Sequence, residues 1–121
     1  MSRDNAVFNL SRAALMTASL FSGKLENLKI ATDDVLHQPF RLGLIKGADT
    51  AFRIAYESGA YGVYISGAGS TVMAIVDDKN DNFAERVGLE LKKNGIFNWT
   101  VTELRTDSVG ARTETVLKME E

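Results

Sequence analysis

Between residues 5 and 21 apolar side chains return every three or four positions, so that Val7, Leu10, Ala14, Ala18 and Phe21 form one stripe along a helix. Asp4 or Asn5 is placed to cap its start, and Gly23 sits where a helix-closing glycine belongs. A second helical pattern runs from Leu25 to Leu36, with Leu25, Leu28, Val35 and Leu36 inward. Pro39 stops it, because the residue before a proline is pushed out of the α region. A third helix covers about Asp49 to Ser58 on Ala51, Phe52 and Ala55, and ends at Gly59.

The period then shortens. Gly62 to Ser66 and Thr71 to Val76 are apolar and β-branched, which predicts two strands around a Gly67-Ala68-Gly69-Ser70 break. Asn80 to Asn94 is amphipathic, with Phe83, Ala84, Val87 and Leu91 inward and Glu85, Arg86, Glu90, Lys92 and Lys93 toward water. Trp99 to Arg105 alternates as a strand, and a last strand covers Ala111 to Leu117 after a turn at Gly110. Three helices, two strands, a helix and two strands predict an α+β fold: an antiparallel four-stranded sheet with helices packed on one face. With no repeat, low-complexity tract or linker, the 121 residues read as one domain.

Composition narrows the partners. A net charge of -2 without a basic patch argues against nucleic acid and anionic membranes. Cysteine is absent, which rules out disulfides and thiolate metal sites and fits the cytoplasm. No apolar run approaches the roughly 20 residues a bilayer needs, and Met1-Ser2-Arg3-Asp4 does not open a signal peptide.

Three places carry chemistry worth weighing. Ser66-Gly67-Ala68-Gly69-Ser70-Thr71 joins two apolar strands, and its glycines let successive N–H groups form an anion-binding nest. The same run reads equally as a tight turn, and it is not a Walker A loop, because no Gly-Lys-Ser/Thr follows. Arg41, in His37-Gln38-Pro39-Phe40-Arg41, presents a planar fork that grips carboxylates, or it is a surface arginine after a helix stop. His37, the one histidine, reads as a helix-end residue rather than a metal ligand, and Arg112 after Gly110 reads as an edge-strand charge. Asp77, Asp78 and Asp81 read as a solvated loop and helix cap, so no metal site is expected.

Four segments in order resemble the C-terminal half of the homoserine kinases, within the GHMP kinase superfamily. They are Asn5 to Leu15, Asp34 to Arg41, Tyr64 to Thr71 and Val109 to Arg112. The resemblance implies a ferredoxin-like GHMP kinase C-terminal domain over residues 1–121. It also implies that Arg41 pairs with the carboxylate of L-homoserine, with His37 and Arg112 as possible supports. The Ser66–Thr71 loop would lie near the nucleotide phosphates. At Ser70 the family usually has proline; serine restores an N–H and frees φ. The family's phosphate motif, Pro-x-x-x-Gly-Leu-Gly-Ser-Ser, belongs to an N-terminal domain and has no match here. ATP and magnesium are therefore expected only in an intact enzyme, and the isolated chain is expected to be an inactive piece of it. The face turned to the missing domain is expected to be apolar and to be covered, most simply in a C2 homodimer. Two other readings stay open: a stand-alone module that senses an amino acid through Arg41, and the C-terminal domain of another GHMP small-molecule kinase.

Overall fold

A computed structural model describes residues 1–114. Helix α1 (Arg3–Ser22) starts after Ser2, whose hydroxyl accepts from the Asn5 N–H at 3.1 Å, and it closes at Gly23 as expected. Ser2, not Asp4 or Asn5, is the cap. The apolar stripe of α1 faces outward: Leu10 is 72% exposed and Phe21 91%. The flank that packs instead carries Arg12, Leu15, Met16 and the buried Ser19. Periodicity identifies an apolar face, but only a neighbour can bury it, and the neighbours α1 has here are two short elements.

The expected second helix is broken. A 3-10 turn (Leu25–Asn27) leads into α2 (Leu28–Ala31), and the chain then leaves the helix. Thr32 bonds back through its hydroxyl to the Leu28 carbonyl at 2.9 Å. Asp34 draws the following N–H groups to its own carboxylate, a local alternative to helix propagation. Pro39 does not stop a helix; it sits in the first turn of α3 (Gln38–Leu42), where a missing N–H costs nothing.

Helix α4 (Ala48–Glu57) and helix α5 (Phe83–Lys93) lie within a residue or a few of their expected bounds. Between them β1 (Gly62–Ile65) and β2 (Val72–Ile75) pair antiparallel, with Val63 opposite Ala74 and Ile65 opposite Val72. The core is one cluster: Ala51, Ile54 and Ala55 of α4, Val63 of β1, and Phe83, Val87 and Leu91 of α5. Helix α2 closes on β1 at Gly62, where a Cβ would stand 2.9 Å from Thr32 Cγ2. Among the described residues no helix is long and apolar enough to cross a membrane.

The sheet has two strands among the described residues, so the expected four-stranded sheet is corrected there. Trp99 and Val101 do pack against the core while Thr100 and Thr102 are exposed, as the alternation requires. Yet the backbone of 99–105 forms no ladder with β2. Trp99 anchors the segment elsewhere, donating its indole N–H to the Lys46 carbonyl at 3.0 Å. A hollow lined by Val72, Ala74, Val76 and residues 99–104 separates it from the strand. Residues 111–114 are also unpaired, and the rest of the expected last strand lies outside the described residues.

Candidate functional site

The bend between β1 and β2 continues their register for one more pair. Ser66 donates its N–H to the Thr71 carbonyl at 2.9 Å, and Gly69 donates to the Ser66 carbonyl at 3.0 Å. Gly67 (φ +54°) and Gly69 (φ +86°) both lie in the left-handed region. At Gly69 a Cβ would meet Ile45 Cδ1 at 2.9 Å, so the Ile45 side chain packs directly on the bend. The Gly69–Ser70 peptide is cis. All six residues from Ser66 to Thr71 are exposed.

Arg41 lies in the last turn of α3 and reaches this bend. Its Nε donates to the Ala68 carbonyl at 3.0 Å, and its Nη2 donates to the same oxygen. The two strongest candidates from the sequence are therefore brought together. One edge of the guanidinium is thus committed to backbone.

His37 stands at the N-cap of α3, as a helix-end histidine. Its side chain joins Asn9, Arg12, Asp34, Gln38 and Tyr64 around a hollow of about 340 Å³. Arg12 falls within the first of the resembling segments, but no role was read for it from the sequence. In the fold its guanidinium carbon rests 4.1 Å from the Phe8 ring centroid, and its Nε is buried without a hydrogen-bond partner. A buried donor left unpaired is costly, and here it borders a hollow that a polar ligand can enter.

The floor of the hollow is a polar network. Asp34 accepts from the N–H groups of Leu36 (2.9 Å), His37 (2.8 Å) and Gln38, and from the Asn9 side-chain amide. Asn9 in turn accepts from the Val35 N–H at 3.1 Å, which ties the turn to α1. Burial alone would raise the Asp34 pKa, but the Asn9 amide and the N–H groups of Gln38, Leu36 and His37 together lower it to about 2. An acid a few residues before a proline is a helix-start signal, and it was the one mark of this turn in the sequence.

Arg112 is exposed in irregular chain, and no hydrogen bond or ion pair among the described residues involves it. Asp77 accepts from the Lys79 N–H at 2.9 Å, forming a turn.

A family description reading GHMP kinases C terminal matches residues 14–96. A homoserine kinase from Clostridium beijerinckii is 41% identical over 111 residues, which is 92% of this chain and 37% of that protein. A homoserine kinase from Caldicellulosiruptor saccharolyticus is 38% identical over 108 residues, 88% of this chain and 35% of that protein. The crystal structure of a homoserine kinase from Cytophaga hutchinsonii aligns with a TM-score of 0.67 at 25% identity, covering 78% of this chain and 30% of that one. The chain thus spans little more than a third of the length of these relatives.

Proposed function

We propose that this chain, which belongs to the GHMP kinase family and carries its C-terminal domain, supplies the substrate side of a homoserine kinase. That enzyme would move the γ-phosphate of ATP to the hydroxyl of L-homoserine, a step in threonine biosynthesis. One observation carries the reading: Arg41 and the glycine bend, chosen separately from the sequence, meet at Ala68.

Phosphoryl transfer is catalysed by positioning and by charge placed around the moving group. Arg12 supplies a cation at the hollow, and Arg41, on the same short helix as Gln38, supplies a second one at the bend, where it suits the carboxylate of a small amino acid. The exposed Ser66–Thr71 bend offers backbone N–H groups to the phosphate side. On this reading magnesium and most of the nucleotide are held by an N-terminal portion, and this chain alone does not turn over. His37 supports the substrate pocket, whereas the geometry gives Arg112 no part in it.

Such an enzyme works in the cytoplasm, where its substrates are. The outward stripe of Val7, Leu10 and Phe21 supports a covered face, either against the N-terminal portion or in a twofold homodimer.

The test mixes this chain with the N-terminal two-thirds of a homoserine kinase relative and follows ADP release with L-homoserine, ATP and magnesium. Turnover is expected only when both parts are present. Arg41→Ala in the mixture is expected to lower kcat/KM for homoserine by roughly ten- to a hundredfold, as for a lost charge-assisted bond. Tight binding of homoserine to this chain alone, without turnover in the mixture, would instead favour an amino-acid sensor.

A further inference from the structure

Strand β1 is an edge strand with a free side. Its pairing with β2 uses one set of backbone groups, and the N–H groups of Val63 and Ile65 point away from it. Both residues are buried, so water cannot satisfy these donors and each needs a partner within the protein. Val63 donates to the Tyr56 hydroxyl at 3.1 Å, and Ile65 donates to Gln38 Oε1 at 2.8 Å. Gln38 is buried, at 9% exposure, and its Nε2 donates to the Thr32 carbonyl at 2.9 Å. Because a carbonyl only accepts and an N–H only donates, one orientation of the amide satisfies both bonds.

Gln38 and Arg41 are three residues apart on α3, which places them on neighbouring positions of one face. Gln38 holds Ile65, the last residue before the bend, and Arg41 holds Ala68 at its tip. Asp34 fixes the start of the same helix.

We propose that α3 is a two-point clamp on the Ser66–Thr71 bend and that Gln38 is its positioning residue, setting where Arg41 meets the bend. Both polar ends of the Gln38 amide are taken up by backbone, so it acts through Arg41 and Ile65. The consequence for substrate rests on the homoserine kinase reading: a carboxylate that draws on Arg41 pulls on the loop nearest the phosphates, so the two halves of the site are filled together. The clamp itself belongs to the unliganded chain. Its failure would leave the kinase reading standing, and a failed mixing assay would leave the clamp standing.

The experiment uses the isotope-labelled 121-residue chain, without ligand, and follows amide protection factors and the Arg41 Nε–H signal by NMR. Gln38→Leu removes both bonds. Protection at Ile65 is expected to fall by about tenfold or more, with the Arg41 Nε–H signal moving to the position of a free guanidinium, while Leu91 in α5 stays within about twofold. Gln38→Glu separates position from mere stability. Its carboxyl reproduces both bonds only when protonated; ionised, it still accepts from the Ile65 N–H but faces the Thr32 carbonyl oxygen, so Ile65 protection is expected to exceed that of Gln38→Leu throughout and the Arg41 signal to approach the parent's as pH falls toward about 4. The clamp is overturned if the Arg41 signal is unchanged in Gln38→Leu, if Ile65 and Leu91 lose protection together, or if Gln38→Glu fails to recover at the lower pH.

Discussion

Two regions of this molecule are held together by different physics. On one side α4, α5 and the β-hairpin share an apolar cluster, with Ile54 at 2% exposure, Val63 at 1% and Leu91 at 2%. On the other side the segment from Thr32 to Arg41 has little apolar burial of its own and is hung on side chain-to-backbone hydrogen bonds. The apolar cluster carries stability because area removed from water is non-directional and adds up. The polar segment carries placement, because each bond fixes one donor against one acceptor. The candidate site lies in the second region and leans on the first.

The sharpest way to break that contrast is Leu91→Ala. It removes a side chain at the centre of the cluster and leaves a cavity, so a loss of roughly 2–5 kcal/mol is expected, seen as a lower urea midpoint for the whole chain. A loss confined to α5, with α3 and the bend untouched, would mean that the two regions fold independently.

Asp34→Ala probes the other side. Three backbone N–H groups and the Asn9 amide lose their acceptor, and about 1–2 kcal/mol is expected. Its pH dependence has a definite sign. The folded pKa, about 2, lies below the ordinary value of 3.8, so the stabilisation is present above 3.8 and is lost as pH falls through 2. Asp34→Asn is expected to flatten that limb of an acid-unfolding curve while leaving the neutral-to-alkaline limb unchanged.

The same contrast explains what could be read from the sequence. Helices α4 and α5 and both strands were legible because they obey apolar periods of 3.6 and 2 and are buried by each other. The bend and Arg41 were legible from residue types and from the resemblance. The segment from Leu25 to Leu42 was not, because its course is set by Asp34, Asn9 and Gln38, which no period marks. Pro39 was ambiguous for the same reason: a proline ends one helix or begins another according to which side supplies the cap. Trp99 to Arg105 shows the limit of alternation, which reports the side chains that face a core and is silent on whether the backbone pairs.

A smaller effect is expected at the contact between the regions. Arg41→Lys keeps the charge but loses the planar fork that sets two donors on the Ala68 carbonyl. The site is partly exposed, so global stability is expected to change by under about 1 kcal/mol. Hydrogen exchange in residues 66–71 is nevertheless expected to quicken. Unchanged exchange there would show that the bend holds its shape without α3.

The smallest expected effect on stability is at the stripe the fold leaves outside. Val7 and Leu10 are 57% and 72% exposed, so they bury little area within this chain. Val7→Gln with Leu10→Gln is expected to move the unfolding free energy by no more than about 0.5 kcal/mol. An apolar stripe this regular has a use only if something covers it, and then the cost of polar substitution appears in association rather than in folding. Sedimentation of the chain alone, or its uptake by the N-terminal portion of a relative, should separate the variant from the parent, according to which of the two covers the stripe. If both measurements match the parent while stability falls by several kcal/mol, the stripe is packed within the chain, and α1 belongs to the apolar region after all.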